Sequence, residues 1–301
     1  MYVITGATGH TGSEVANKLL EDGQQVRVVG RDAKRLEPFA ENGAEPFVAD
    51  VTDVIALSKA FAEAEAVYLM IPPNMGAPDI LAHYQRIGDA AAAAIQRSGV
   101  KYAVVLSSVG ADKPDKTGPV VGLYHLEQKL NAIAPLHVLY LRAGYFMENI
   151  LPQAGVIKAF GTMAGPVKAD LPLPMIATRD IGDVAAEALL NLDFEGKSSR
   201  ELQGPRDVTY TEVAKIIGAA IGKPDLGYRQ MPGAQLKPAF MQMGMSGNMA
   251  DLLLEMSDSL NSGYMKMLES RSPATSTPTT LEVFAAEEFA PAYRGQQAAR
   301  A

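Results

Sequence analysis

No cysteine occurs among the 301 residues, which excludes disulfides, thiolate metal sites and cysteine nucleophiles. Histidine is scarce too: His10, His83, His125 and His137 are scattered without zinc-ligand spacing, so no structural metal is expected. Positive charge is in deficit. The formal net charge of −7 carries no long single-sign run, and the electrostatic footprint for nucleic acid or an anionic membrane surface is missing. No apolar stretch approaches the roughly 18 residues that a membrane span requires. "YVIT" follows Met1 directly, with no basic segment or cleavage site between them. These absences predict a cytoplasmic protein, a monomer or homodimer, with a small-molecule substrate and neither nucleic acid nor membrane as partner.

What is present alternates. The runs "YVIT", "QVRVVG", "EPFVAD", "AVYLMI", "YAVVLS" and "HVLYLR" are nearly continuously apolar, and helical patterns such as "SEVANKLLEDG" and "ILAHYQRIGDAAAAAIQRSG" separate them. Buried runs interleaved with helices predict a doubly wound α/β fold with a parallel sheet covered on both faces. Residues 1–151 would form this Rossmann domain, completed by about 176–224, where "DIGDVAAEALLNL" and "TYTEVAKIIGAAIG" read as helices around a short strand near "ELQG". Residues 152–175 and 225–290 would make a smaller α/β lobe, with a flexible tail at 291–301. The methionine-rich stretch from 225 onwards either fills the core of that lobe or lines a substrate surface, the core being preferred. Thr280 would cap the helix "LEVFAAEEF".

Between the first strand and the first helix, "TGATGHTG" places Gly6, Gly9 and Gly12 three residues apart. Such glycines serve a tight turn, backbone approach to a pyrophosphate, and close packing of helix on sheet. The exposed N–H groups and positive helix end favour an anionic diphosphate, so a dinucleotide is the expected cofactor. Where the second strand ends, "VVGRDAKRL" offers Arg31 beside Gly30, with Lys34 and Arg35 nearby. A guanidinium fork there suits a 2'-phosphate, although Asp32 is of the opposite sign, and NADP(H) is favoured over NAD(H).

These segments resemble the atypical short-chain dehydrogenases/reductases, and in particular the NmrA-like group of NAD(P)H-dependent quinone and azo reductases and NADP-sensing regulators. "GATGHTG", "ADVTD", "LSSVGAD", "LRAGYFMENIL", "IATRDIGDVAAEAL" and "TPTTLEVFAAEEFAP" carry the resemblance over nearly the whole chain. It implies that Thr5, Gly6, Ala7, Thr8, Gly9, His10, Thr11 and Gly12 line the diphosphate and that Arg31 faces the adenosine ribose. It also implies that Asp50 and Val51 flank the adenine and that Ile71, Pro72 and Pro73 run beside the nicotinamide ribose. Substrate would lie near Tyr145, Phe146 and Asn149, with Ser107 in the position of a substrate-orienting serine.

Dehydrogenases of this superfamily use a tyrosine acid and a lysine four residues later. In "LYHLEQKLNAI", Tyr124 and Lys129 are five apart, which leaves them about 140° out of phase on a helix. His125 and Lys129 are four apart and share a face. The pair is therefore a candidate catalytic set, His125 as proton donor and Lys129 as partner to the histidine or the cofactor ribose. An oxidoreductase passing hydride to a quinone or carbonyl compound is the leading expectation. Its rival is a non-catalytic NADP(H)-sensing regulator that binds a protein partner; a nucleotide-sugar epimerase is less favoured, because its tyrosine and lysine would be out of phase.

Overall fold

Residues 1–296 are described in the computed structural model. The apolar runs become strands and the periodic stretches helices: β1 (Tyr2–Thr5), α1 (His10–Glu21), β2 (Val26–Gly30), α2 (Ala33–Glu41), β3 (Glu45–Val48), α3 (Val54–Ala60), β4 (Ala66–Leu69), α4 (Ile80–Ser98), β5 (Tyr102–Ser108), α5 (Val121–Asn131) and β6 (His137–Ala143). The chain continues through β7 (Tyr145–Phe146), α6 (Gln153–Phe160), β8 (Met163–Gly165), β9 (Met175–Ile176), α7 (Thr178–Asn191), β10 (Lys197–Leu202) and α8 (Tyr210–Ala220). It ends with β11 (Tyr228–Gln230), α9 (Gly233–Gln242), α10 (Gly247–Ser262), α11 (Leu281–Phe284) and, past a π-helical turn, α12 (Ala290–Arg294).

Seven strands form one parallel sheet in the order β10-β6-β5-β4-β1-β2-β3. The strand order reverses between β1 and β4, so a crevice opens outside their carboxyl ends, where ligands bind in such sheets. Both faces are covered. Leu57, Ile87, Ala94 and Leu130 of α3, α4 and α5 bury one face, and Val15, Leu19, Leu36 and Ile181 of α1, α2 and α7 bury the other. Helix starts are set by side chains that accept otherwise unpaired N–H groups. Asp53 accepts from Ile55 and Ala56, Asp79 from Ala82, and Thr280 caps α11 as its sequence predicts. Thr209 and Glu212 form a reciprocal capping box at α8.

A third core lies outside the sheet and unites Met147, Ile150, Met163, Val213, Ile217, Leu281 and Phe284. α8, expected to return to the sheet, is part of this lobe instead. Its apolar stripe of Val213, Ala214 and Ile217 meets the lobe core, while α7 takes the place beside α1. The expected tail is helical over its first residues, since α12 reaches Arg294, and the remainder of that tail from 297 lies outside the described residues.

Candidate active site

The turn after β1 is shaped by contacts that only glycine permits. Gly6 sits at φ +67°, and a Cβ there would lie 2.4 Å from Met70 Sδ. A Cβ on Gly12, in the first turn of α1, would lie 2.3 Å from the Gly6 carbonyl oxygen. Helix and strand therefore meet backbone to backbone, and Gly9 N–H donates to Gly6 O at 2.9 Å. Among the described residues no side chain caps α1, so its first N–H groups stay available to an anion. Two of the segment's three threonines do something other than face a diphosphate. Thr5 Oγ1 donates to the Tyr68 carbonyl and accepts from Met70 N–H, while Thr11 Oγ1 accepts from the Tyr68 hydroxyl. Both side chains brace the loop against β4, and Ala7 is buried, so what remains for an anion is backbone N–H and the side chains of Thr8 and His10, which are not buried.

At the far end of the loop, Arg35 reaches back and donates to the Thr8 carbonyl at 2.9 Å. Asp32 Oδ1 accepts from Lys34 N–H as the cap of α2. That commitment removes much of the ambiguity its charge creates in the sequence. Gly30 does not leave open space, because a Cβ there would meet Leu36 at 3.0 Å. Arg31 is exposed. Asp50 is held below its ordinary value by the hydroxyl and N–H of Thr52, with Arg31 and His83 adding positive potential. His83, on α4, is pushed down by burial and by Arg86 and Arg31, against Asp50. A histidine thus joins the expected adenosine residues Arg31 and Asp50, and no local pattern singled it out.

Beyond the end of the sheet lies a cleft of about 620 Å³ between the Rossmann domain and the lobe. Ile71 and Pro73 border it from the end of β4, Ser107 and Ser108 from β5, and Tyr145, Phe146 and Asn149 from the segment after β6. Met256, Met265 and Met267 close it from the lobe, and Met249, which packs with the core on the α3–α5 face, lines it too, so the methionine-rich stretch both packs and lines. Pro72 lies between two cleft residues without bordering the cleft itself, and Val51 packs against the core below.

The structure separates His125 and Lys129 from this cleft. Leu123 is the α5 side chain that borders it, and a residue two positions later points about 200° away. His125 is accordingly exposed, edge-on to Tyr124 at 5.4 Å. Lys129 lays its stem over Gly88 and pairs with Asp89 of α4. The two do share a face, as helical phase requires, but it is the face turned to α4 and solvent. Ser107 is likewise committed: it is buried and donates to Glu127 Oε1 at 2.6 Å.

Glu127 is the residue that sequence reading passed over. It is 2% exposed on the inner face of α5, and its carboxylate receives Arg142 through Nε at 3.1 Å and Nη2 at 2.6 Å. This bidentate pair and Ser107 bind the carboxyl ends of β5 and β6 to α5. The buried end of the cleft has a second polar group. Tyr145 and Tyr210 share a hydrogen bond of 3.0 Å between their hydroxyls, and Tyr210 stacks on Tyr228.

A doubly wound sheet with an uncapped helix start behind a glycine turn, opening onto an apolar cleft, defines the class of dinucleotide-binding α/β proteins. Comparison with known proteins narrows this. The model of the NmrA-like family matches residues 2–289, and the chain belongs to that family. It is 27% identical over 258 residues to an NAD(P)H azoreductase of Xenophilus azovorans, covering 85% of this chain and 86% of the relative. Its fold is similar to that of an Escherichia coli NADPH-dependent quinone oxidoreductase complexed with NADPH, with a TM-score of 0.76 at 22% identity, covering 100% and 96% of the two chains. A Citrobacter triphenylmethane reductase complexed with NADP(H) matches with a TM-score of 0.79 at 18% identity, covering 96% and 99%.

Proposed function

We propose that the protein is an NAD(P)H-dependent oxidoreductase that uses NADP(H) and reduces a small unsaturated acceptor such as a quinone or carbonyl compound. The observation that carries this is the apolar cleft, which begins at Ile71 and Pro73 and is large enough for a ring system. The glycine turn fits a dinucleotide, since a Cβ at Gly12 would fill the space that brings the loop backbone up against α1. Bound there, the reduced nicotinamide supplies hydride. Gly6–Gly12 would hold the diphosphate, and the methionines would exclude water and adapt to a flat, polarisable ring. The activities of the azoreductase, quinone oxidoreductase and triphenylmethane reductase relatives support the same class of reaction. A purely NADP(H)-sensing regulator would not need such a cleft. Steady-state NADPH oxidation over a panel of quinones, carbonyl compounds and azo dyes tests this, and no turnover above blank with any acceptor overturns it.

The preference for NADP(H) is assigned to Arg31. Arg31→Ala is expected to raise the NADPH dissociation constant roughly tenfold, the worth of one charge-assisted phosphate contact, while NADH binding stays nearly unchanged. Equal losses for both cofactors in a fluorescence titration would remove Arg31 from the selection.

With His125 outside the cleft, Tyr145 is the side chain assigned to proton supply. Tyr210 is buried, and among the described residues its hydroxyl has one partner, Tyr145. Donation from Tyr210 to Tyr145 satisfies the buried hydroxyl and leaves the Tyr145 hydrogen for an oxygen or nitrogen in the cleft. Burial pushes the Tyr145 phenol above its ordinary value. A proton required for turnover is lost only as pH rises through that raised value. The rate is therefore expected to show no alkaline limb up to about pH 10. Tyr145→Phe should lower kcat roughly tenfold with NADPH affinity intact, and His125→Ala should leave kcat unchanged. The reverse pattern would restore the histidine.

A further inference from the structure

α5 brings Leu123 to the cleft and no hydroxyl, yet a tyrosine reaches the same wall from the neighbouring helix. Tyr84 of α4 borders the cleft, and Gly122 of α5 is what lets it do so. A Cβ on Gly122 would stand 2.5 Å from Tyr84 Cδ2 and 2.8 Å from Tyr84 Cβ, so the phenol ring lies in a notch that any larger residue would fill. Only 8% of Tyr84 is exposed, and burial pushes its phenol up to about 12. Its hydroxyl has no hydrogen-bond partner among the described residues, but it is not one of the unpartnered polar atoms that are fully enclosed, as Thr117 Oγ1 and Gln203 Nε2 are. The oxygen therefore keeps accessible surface, and the open space that Tyr84 borders is the cleft.

The other hydroxyls on this wall are spent. Of the three polar side chains that the chain from β4 to α5 brings to the cleft, Ser107 donates to Glu127 Oε1 at 2.6 Å and Ser108 to the Val109 carbonyl at 3.0 Å, which leaves the Tyr84 hydrogen free. On the lobe side Arg271 is held by Gln203 Oε1 and the Gly204 carbonyl, each at 3.0 Å, and by Asp207. Asn149 and Lys266 are exposed, so water competes for them. A donor set among apolar side chains has little water to give up, and its bond to a ligand keeps more of its strength.

We propose that Tyr84 is a catalytic residue whose hydroxyl donates a hydrogen bond to an oxygen of the acceptor, on the Rossmann side of the cleft and apart from the proton supplied by Tyr145. The assignment rests on the reductase activity proposed above and adds a residue to that site. Quinone plus hydride from the reduced cofactor plus one proton, given by Tyr145 and restored from solvent, yields hydroquinone. Negative charge develops on the oxygens as hydride arrives, and the bond from Tyr84 strengthens with it. Tyr84 keeps its own hydrogen throughout, because the raised phenol loses it only as pH rises through about 12.

The test is Tyr84→Phe, which keeps the ring in the Gly122 notch and removes one oxygen that no protein group uses. Thermal midpoint and NADPH affinity should match the wild type. Binding of 1,4-naphthoquinone to the NADP⁺-loaded protein, measured by isothermal titration where no turnover occurs, should weaken about tenfold, and kcat/KM for its reduction by NADPH should fall at least as far. The chain has no thiol to form a quinone adduct. Unchanged naphthoquinone affinity, wild-type protein that does not bind naphthoquinone, or a loss of NADPH affinity in place of quinone affinity would overturn the proposal. So would a lowered thermal midpoint, since the hydroxyl would then serve the fold. NADPH oxidation by the wild type over the acceptor panel is scored separately. Naphthoquinone binding that depends on Tyr84 without turnover would retain Tyr84 as the donor to oxygen and sink the reductase activity; turnover that Tyr84→Phe leaves intact would do the opposite.

Discussion

Glu127→Ala is expected to destabilise the fold by roughly 3–5 kcal/mol, read as a lower urea midpoint at an unchanged slope. The size follows from what would be left behind. Arg142 is only 17% exposed in its side chain and, among the described residues, has no other carboxylate within hydrogen-bonding distance, so its guanidinium would remain charged and unpaired at the end of β6. The Ser107 hydroxyl would lose its acceptor at the same time. Desolvation of both charges has already been met in the folded protein, which is why breaking the pair costs more than the pair contributes. Removing both charges is accordingly expected to be milder. Glu127→Leu with Arg142→Met should recover most of the loss, because apolar groups of similar volume need no partner. A single-variant loss below about 1 kcal/mol would mean that water reaches the pair and that it behaves as a surface ion pair.

Gly12→Ala is expected to weaken NADPH binding by on the order of a hundredfold, about 2.7 kcal/mol. The added methyl would stand 2.3 Å from the Gly6 carbonyl oxygen and 2.7 Å from the Gly6 carbonyl carbon. Backbone cannot yield as a flexible side chain does, so the start of α1 must move away from the turn. The N–H groups that would receive the diphosphate move with it. Gly155→Ala supplies the control, since among the described residues nothing beyond its chain neighbours and the backbone of α6 itself lies within 4 Å of a Cβ at that position. That variant should bind NADPH as the parent does and be slightly more stable, helix glycines being poor helix formers. Tight cofactor binding by Gly12→Ala in a fluorescence titration would mean that the diphosphate does not sit at this helix start.

Much of the fold is legible in the chain, and with it the glycine turn to which the proposed cofactor is assigned. Strand runs from "YVIT" to "HVLYLR" show as unbroken apolar stretches, and "TGATGHTG" announces the turn. Asp53, Asp79 and Thr280 sit where helices begin. What was not legible has a common character. Asp32 reads as a charge that bears on ribose recognition, and only its hydrogen bond to Lys34 N–H reveals a cap. Thr5 and Thr11 read as phosphate ligands until Tyr68 is seen to take both. His125 and Lys129 are correctly phased with one another, yet phase relates residues within a helix and carries no reference to what the helix packs on.

The sequence by itself determined the parallel sheet, the glycine turn after β1 and the membership of every strand up to β6, because these depend on local periodicity, turn chemistry and side-chain size. Tertiary structure alone decided the rotation of α5 about its axis, which turns Leu123 to the cleft and His125 to solvent. It alone joined Glu127 to Ser107 and Arg142, Tyr145 to Tyr210, and Gln203 to Arg271. These partners are distant along the chain, or lie on different elements, and no short-range rule links them. They meet because the burial of three apolar cores brings their elements together, and packing settles the orientation of each polar side chain only after that.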